Sequence, residues 1–205
     1  VGAAASVAAV GAAVGASAAA AAGAVAEAVS AEAARPGPGE MAMNLQRTLR
    51  HLTATGASLR RAFDAAGLQA IEHAIAEAER KHGGEIRFAV EGNLGALELM
   101  RRVTPRERAV EAFAQLGVWD TEANNGVLIY LLWADRDVEI VADRGFNGRV
   151  SVAEWEQVCH TMEGLFASGR AVDAVIAGIA AVGTLIARHY PAVDRNELPN
   201  KPVVM

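Results

Sequence analysis

The sequence predicts an α/β fold: a small mixed sheet flanked by helices, arranged as a three-layer α/β/α sandwich. Two observations favour this fold class. Strand patterns over residues 85–91, 126–133 and 137–142 are interspersed with longer amphipathic helical patterns. The segment 126–133 is also free of charge and of helical periodicity, as expected of a strand covered on both faces.

The chain divides into four predicted regions. Residues 1–42 form an Ala/Gly-rich low-complexity tail that ends in a Pro/Gly linker. Residues 43–63 form a basic helical segment, residues 64–191 an α/β domain, and residues 192–205 an extended tail with prolines. An alternative is that translation starts at Met41 or Met43, which would place the low-complexity tail outside the native protein.

The N-terminal tail does not clearly indicate where in the cell the protein is located. It lacks the initial Lys or Arg of a signal peptide, and Ala and Gly contribute too little transfer free energy to indicate a transmembrane helix with confidence. We therefore expect a location in the cytoplasm or at the periphery of a membrane, with the cell envelope as an open alternative.

Charge and cysteine content exclude several classes of protein. The net charge of −5 gives no basis for nucleic acid as a partner. The single cysteine, Cys159, excludes a disulfide framework and a thiolate metal cluster. The remaining expectation is an unknown protein partner or a membrane surface.

The basic helical segment has two interpretations. It carries Arg47, Arg50, Arg60 and Arg61 and no acidic residue. Such a segment either packs on the surface of its own chain or, through residues 44–61, docks on an anionic membrane or a partner.

Helix boundaries in the α/β domain follow from capping signals. Asp64 begins a helix that Gly83-Gly84 ends, with Leu68, Ile71, Ile75 and Ala78 facing inward. Thr104-Pro105 begins a second helix, which Gly117 closes. Ser151 and Glu154 form a capping box for a third helix, whose predicted inward residues are Val152, Trp155, Val158, Cys159, Met162 and Leu165. An apolar helix over residues 171–187 follows, stopped by Pro191.

The connections between strands predict their directions. The long link from Glu91 to Gly126 suits a right-handed parallel crossover, whereas residues 134–136 allow only an antiparallel return. Polar residues therefore gather at two ends of the sheet, about 20 Å apart. One end holds Glu122, Asn124, Asn125 and Asp143, and the other holds Glu91, Asp135 and Arg136.

Six segments in this order resemble the TPM domain family: 70–77, 84–90, 113–119, 124–129, 134–140 and 143–145. The resemblance covers residues 68–190. It implies an α/β sandwich, binding of a divalent metal that is often calcium, acid phosphatase activity in some plant members, and action by interaction in others. Asn124 stands where many relatives carry Asp, which removes one anionic ligand.

The resemblance and the residues together favour a binding or interaction module that a divalent cation modulates. Calcium prefers oxygen ligands, which Asn125, Asp143, Glu122 and Asn124 would supply, and Arg144 is the candidate phosphate ligand. Ordinary turn chemistry is the alternative for these residues. A weak metal-dependent acid phosphatase and a membrane-surface accessory protein are the alternative functions. No catalytic residue is assigned, because the histidines lack ligand spacing and Cys159 does not face His160.

Overall fold

The computed structural model describes residues 47–51, 56–191 and 196–205. The predictions for residues 1–42, and those for residues 43–46 and 52–55 of the basic segment, lie outside the described residues. Residues 47–51 are helical, and a continuous α/β domain begins at residue 56.

The sheet has four strands in the order β3-β2-β1-β4. Strand β1 is Glu85–Glu91, β2 is Gly126–Leu132, β3 is Asp137–Ala142 and β4 is Val203–Val204. As predicted, β1 and β2 are parallel and β3 returns antiparallel to β2. Strand β2 ends one residue earlier than predicted. Strand β4 was not predicted, because two valines beside a proline carry no periodic signal of a strand.

Besides the helical residues 47–51, six α-helices flank this sheet in the described part of the chain. They are α1 (Gly56–Ala62), α2 (Ala65–Glu79), α3 (Ala96–Met100), α4 (Pro105–Gln115), α5 (Val152–Ala167) and α6 (Ala171–His189). A single 3₁₀ turn, Arg144–Phe146, follows β3.

The predicted helix starts are confirmed in detail. The Asp64 side chain accepts a hydrogen bond from the Gly67 amide at 2.7 Å. Reciprocal capping boxes begin α4 at Thr104 and α5 at Ser151. Gly117 closes α4 with a φ of 64°, a left-handed conformation that glycine adopts without steric cost.

Two helix predictions are wrong in detail. Helix α2 ends at Glu79 rather than at Gly83. The Lys81 amide donates to the Ala78 carbonyl, three residues back, so the chain forms a tighter turn there than an α-helical turn. Val152 is 50% exposed rather than inward, since it is the first residue of α5 and lies beyond the edge of the buried face.

The core lies in two layers on opposite faces of the sheet. Helices α1, α2, α5 and α6 cover the face formed by Ile86, Phe88 and Val90. Helix α4 and Leu198 of the C-terminal tail cover the face formed by Ala89 and Tyr130. The three-layer α/β/α arrangement is therefore confirmed.

Helix α6 is, among the described residues, the one helix long and apolar enough to cross a bilayer. Its mean hydropathy over the most apolar window is 1.7, and half of that window is buried inside the protein. The buried side includes Val175, Ile179 and Val182, which belong to the core. Within this fold, α6 is a core helix.

Candidate functional site

Two turns meet at the end of the sheet where β2 begins and β3 ends. The Asp143 amide donates to the Gly126 carbonyl at 2.9 Å, and the Gly145 amide donates to the Asn124 carbonyl at 2.9 Å. These bonds place the turn before β2 directly against the turn after β3. The hairpin topology predicted this arrangement.

Asn125 is 1% exposed and links two loops. Its side-chain nitrogen donates to the Gly83 carbonyl at 2.5 Å, and its backbone amide donates to the Thr121 hydroxyl at 3.0 Å. The other side-chain atom, Oδ1, has no hydrogen-bond partner among the residues that the structure describes. A buried acceptor of this kind is rare and costs free energy unless something binds it.

Asp143 is also buried, and one of its carboxylate oxygens likewise has no hydrogen-bond partner in the described residues. Its Oδ1 accepts a hydrogen bond from the Arg144 amide at 2.7 Å and so caps the 3₁₀ turn, whereas Oδ2 has no partner within the described part of the chain. Burial raises the pKa of this carboxyl and outweighs the opposing effects of Arg144. A cation at Oδ2 would reverse that shift.

Gly145 is surrounded by oxygen atoms of neighbouring residues. A β-carbon at this position would collide with the carbonyl oxygens of Ala123 and Asn124 and with the hydroxyl of Tyr190. The Tyr190 hydroxyl donates to the Gly145 carbonyl at 2.9 Å. Carbonyl and hydroxyl oxygens are ligands that hard cations accept.

The other predicted residues of this end are more peripheral. Asn124 has a φ of 52°, which agrees with a turn role for its backbone. Glu122 is exposed, and its backbone amide donates to the Glu197 carboxylate at 3.0 Å. Arg144 is also exposed and contacts Asp143 through its backbone amide.

Sequence reasoning missed two acidic residues near this end. Glu85, the first residue of β1, is buried, and its carboxylate accepts the Glu197 amide at 3.1 Å. Glu197 in turn contacts the loop at Glu122. The sequence signal was the polar tail itself, but nothing in its pattern shows that it lies along the sheet.

Glu91, at the opposite end, belongs to a closed ion-pair cluster. Its Oε2 accepts from the Arg108 guanidinium at 2.7 Å and from the Tyr130 hydroxyl at 2.6 Å. Burial and the bond to Glu91 raise the pKa of Tyr130, so the hydroxyl keeps its proton and remains a donor. The role of Glu91 here is structural.

Asp135 lies at the same end and is neutralised by the basic segment. Its carboxylate contacts Arg47 at 2.8 Å and His51 at 3.2 Å. The Leu94 amide donates to Nδ1 of His51 at 2.9 Å, so the proton of a neutral His51 lies on Nε2, facing Asp135. Residues 47–51 therefore pack on their own chain, and Arg136, with a φ of 53°, is a turn residue.

Three further acidic residues near this end were not among the predicted site residues, although the hairpin places Asp137 there. Burial raises the pKa of Asp137 to about 6 and that of Glu139 to about 7. Asp137 and Glu163 each keep one buried oxygen without a hydrogen-bond partner in the described residues. Arg106 lies 3.4 Å from Glu139, and the positive charge of its guanidinium would repel a cation bound here.

The described residues contain no group of three or more His, Cys, Asp or Glu side chains arranged to hold a metal ion. A site at Asn125 and Asp143 would thus rest on one carboxylate, one amide and neighbouring carbonyl or hydroxyl oxygens. Burial raises the pKa of the Cys159 thiol to about 12, so the thiol keeps its proton near neutral pH.

A family model and solved structures match this chain. A family model described as TPM domain matches residues 59–185. The solution structure of the BA42 protein from the psychrophilic bacterium Bizionia argentinensis is 30% identical, with a TM-score of 0.61 over 69% of this chain and 94% of that one. The N-terminal domain of a protein from P. gingivalis is 17% identical, with a TM-score of 0.53 over 65% and 82% of the two chains, and supports the fold alone. No curated protein matches.

Proposed function

The chain belongs to the TPM domain family, and from this premise we propose that it is a binding module in which the Asn125–Asp143 end of the sheet takes up a divalent cation. Cation uptake would modulate contact with a protein partner at the adjoining loops. The proposal assigns no chemical turnover to the domain.

One observation carries this proposal: two buried oxygens at the same end of the sheet lack donors. Asn125 Oδ1 and Asp143 Oδ2 have no hydrogen-bond partner in the described residues. Both side chains are fixed by their other polar atom, Asn125 through Gly83 and Asp143 through Arg144. Held in this way, the two free oxygens are preorganised acceptors, and a hard cation such as Ca²⁺ is a suitable occupant.

The residues present fit a weak site better than a strong one. Asp143 is the single buried carboxylate among the predicted ligands, and Glu122 reaches solvent. Because affinity for Ca²⁺ grows with the number of charged ligands, we expect binding in the range of modulatory rather than permanent sites. A bound cation would compensate the negative charge of Asp143. Without a cation, burial disfavours that charge and raises the pKa of the carboxyl.

The two alternative functions have less support. A phosphatase would need the guanidinium of Arg144 to hold phosphate beside Asp143. The contact that Arg144 makes with Asp143 uses its backbone amide instead. Membrane docking through residues 44–61 would compete with the bonds that Arg47 makes to Asp135 and to the Val103 carbonyl. No specific observation favours either function over cation binding.

Urea denaturation with and without Ca²⁺ tests the proposal. Calcium at a hundred-fold excess over its dissociation constant adds about 2.7 kcal/mol to the free energy of unfolding. We expect this gain in the wild type, its loss in Asp143→Asn, and its retention in Asp137→Asn, the matched control at the opposite end.

Equal stabilisation of all three proteins would place the cation elsewhere and reject the proposal. Hydrolysis of p-nitrophenyl phosphate, measured on the same samples, separates the phosphatase alternative. A rate in the wild type that exceeds that of Asp143→Asn would favour the enzyme.

A further inference from the structure

The C-terminal tail runs parallel to β1 along its whole outer edge. Glu197 and Leu198 lie at Glu85, whose two carboxylate oxygens accept their amides, each at 3.1 Å. Further along, β4 pairs with β1 at Ala89 and Val90. The amide of Met205 then donates to the Val90 carbonyl at 2.9 Å.

Between these two points, the side chain of Arg87 binds main-chain atoms of the tail. Its guanidinium donates to the carbonyl of Pro199 and, at 3.4 Å, to that of Lys201. Arg87 and Glu85 thus recognise carbonyls and amides rather than particular side chains. Of the described tail residues, 196–205, Leu198 and Pro202 alone are buried. An extended segment held by main-chain bonds and two apolar anchors is bound in the mode of strand addition.

The acceptor edge of β1 carries charge where most strands carry apolar residues. Glu85 is 4% exposed and Arg87 is 6% exposed in the docked state. Glu79 adds a second acidic group, whose carboxyl accepts the Ile86 amide at 2.9 Å. When the tail leaves, these groups return to water, so the open edge is polar and resists non-specific pairing.

We propose that the outer edge of β1 is a binding site for an extended C-terminal segment, and that residues 196–205 of a second copy of this chain occupy it when the chain's own tail is displaced. The docked tail itself shows the complementarity that a second copy would use, because both copies carry the same segment. Reciprocal exchange gives a closed dimer with two identical contacts. The chain's own tail competes at the high effective concentration of a tethered ligand.

Two full-length variants separate the donor from the acceptor. The acceptor variant, Leu198→Asp with Pro202→Asp, weakens its own tail and keeps Glu85 and Arg87. The donor variant, Glu85→Gln with Arg87→Gln, weakens the edge and keeps the tail. Asp120→Asn, an exposed change away from the edge, is the matched control. Amide spectra over residues 65–190 establish that each variant is folded.

A labelled synthetic peptide of residues 196–205 is the first probe. We expect it to bind the acceptor variant at least ten-fold more tightly than it binds the wild type or Asp120→Asn. Adding Glu85→Gln to the acceptor variant should reduce that binding at least ten-fold. Equal binding to wild type and acceptor variant, or binding that ignores Glu85→Gln, would overturn the peptide site.

Sedimentation of the two variants tests the second copy. We expect the acceptor and donor variants to form a one-to-one heterodimer when mixed, while each alone remains monomeric at the same concentration. Absence of the heterodimer at concentrations where the peptide binds would overturn the claim that a second copy is the occupant.

Discussion

Glu91 and Asp143 are buried carboxylates at opposite ends of the sheet, and their surroundings differ. At one end, Glu91 is paired with Arg108 and Tyr130 at 2.7 and 2.6 Å. At the other, Asp143 has a single donor, the backbone amide of Arg144, and one oxygen without a partner in the described chain. Glu91 Oε2 thus has a charged donor and a hydroxyl donor, whereas Asp143 Oδ2 has no donor in the described residues. A neutralised carboxylate such as Glu91 therefore indicates a structural role, and an open one such as Asp143 is a candidate ligand. Asp137 and Glu163, at the Glu91 end, each have an open oxygen as well.

The largest effect is expected from breaking the closed end. In Arg108→Met, Glu91 becomes a buried charge without its cation, and loss of one partner of such a pair costs about 3–5 kcal/mol. Urea denaturation should show this loss, while Arg101→Met on the exposed surface should change stability by less than about 0.5 kcal/mol. If both variants unfold alike, Glu91 is not held as the contacts indicate.

Glu139 at the closed end and Glu79 beside the start of β1 should both contribute to the pH dependence of stability, since burial raises the pKa of each carboxyl. Burial raises the pKa of Glu139 to about 7, so folding favours its protonated form. Its stabilising contribution is full below the ordinary pKa of about 4.5 and is lost as the pH rises through about 7. Glu139→Gln, which keeps an acceptor for Arg106, should flatten this decline in unfolding curves measured between pH 5 and 8.

Asp143→Asn is the matched variant for that pH series. Burial also raises the pKa of Asp143, so its removal changes the curve in the same direction. A decline that persists in Glu139→Gln and vanishes in Asp143→Asn would reverse the comparison between the two ends.

The smallest effect is expected at Arg144. Its side chain is exposed and its contact with Asp143 runs through the backbone. Arg144→Ala should therefore change the free energy of unfolding by less than about 0.5 kcal/mol and leave calcium-dependent stabilisation intact. A larger loss in urea denaturation, or loss of the calcium effect, would show that the guanidinium takes part in the site.

Local signals explain how much of the fold the sequence predicted. Capping at Asp64, Thr104 and Ser151 depends on residues three positions apart, and β1 and β3 follow from short periodic patterns. Strand β4 was missed because its partner lies far away, as in the bond between Glu85 and Glu197, which are 112 positions apart.

The candidate site was predictable in its position and not in its chemistry. The hairpin alone brings Asn125 and Asp143 to one end of the sheet. Which oxygen remains open depends on contacts from distant loops, such as Gly83 to Asn125. For the same reason, the sequence could not show that Arg47 neutralises Asp135.

Calcium titration of the full chain, followed by backbone amide shifts, tests the central claim most directly. We expect saturable shifts at residues 122–126 and 143–146, with little change at residues 135–139 and 163. Shifts confined to the latter group would move the cation to the closed end, and the absence of saturable shifts would leave Asn125 and Asp143 as turn residues. Either result would contradict the account.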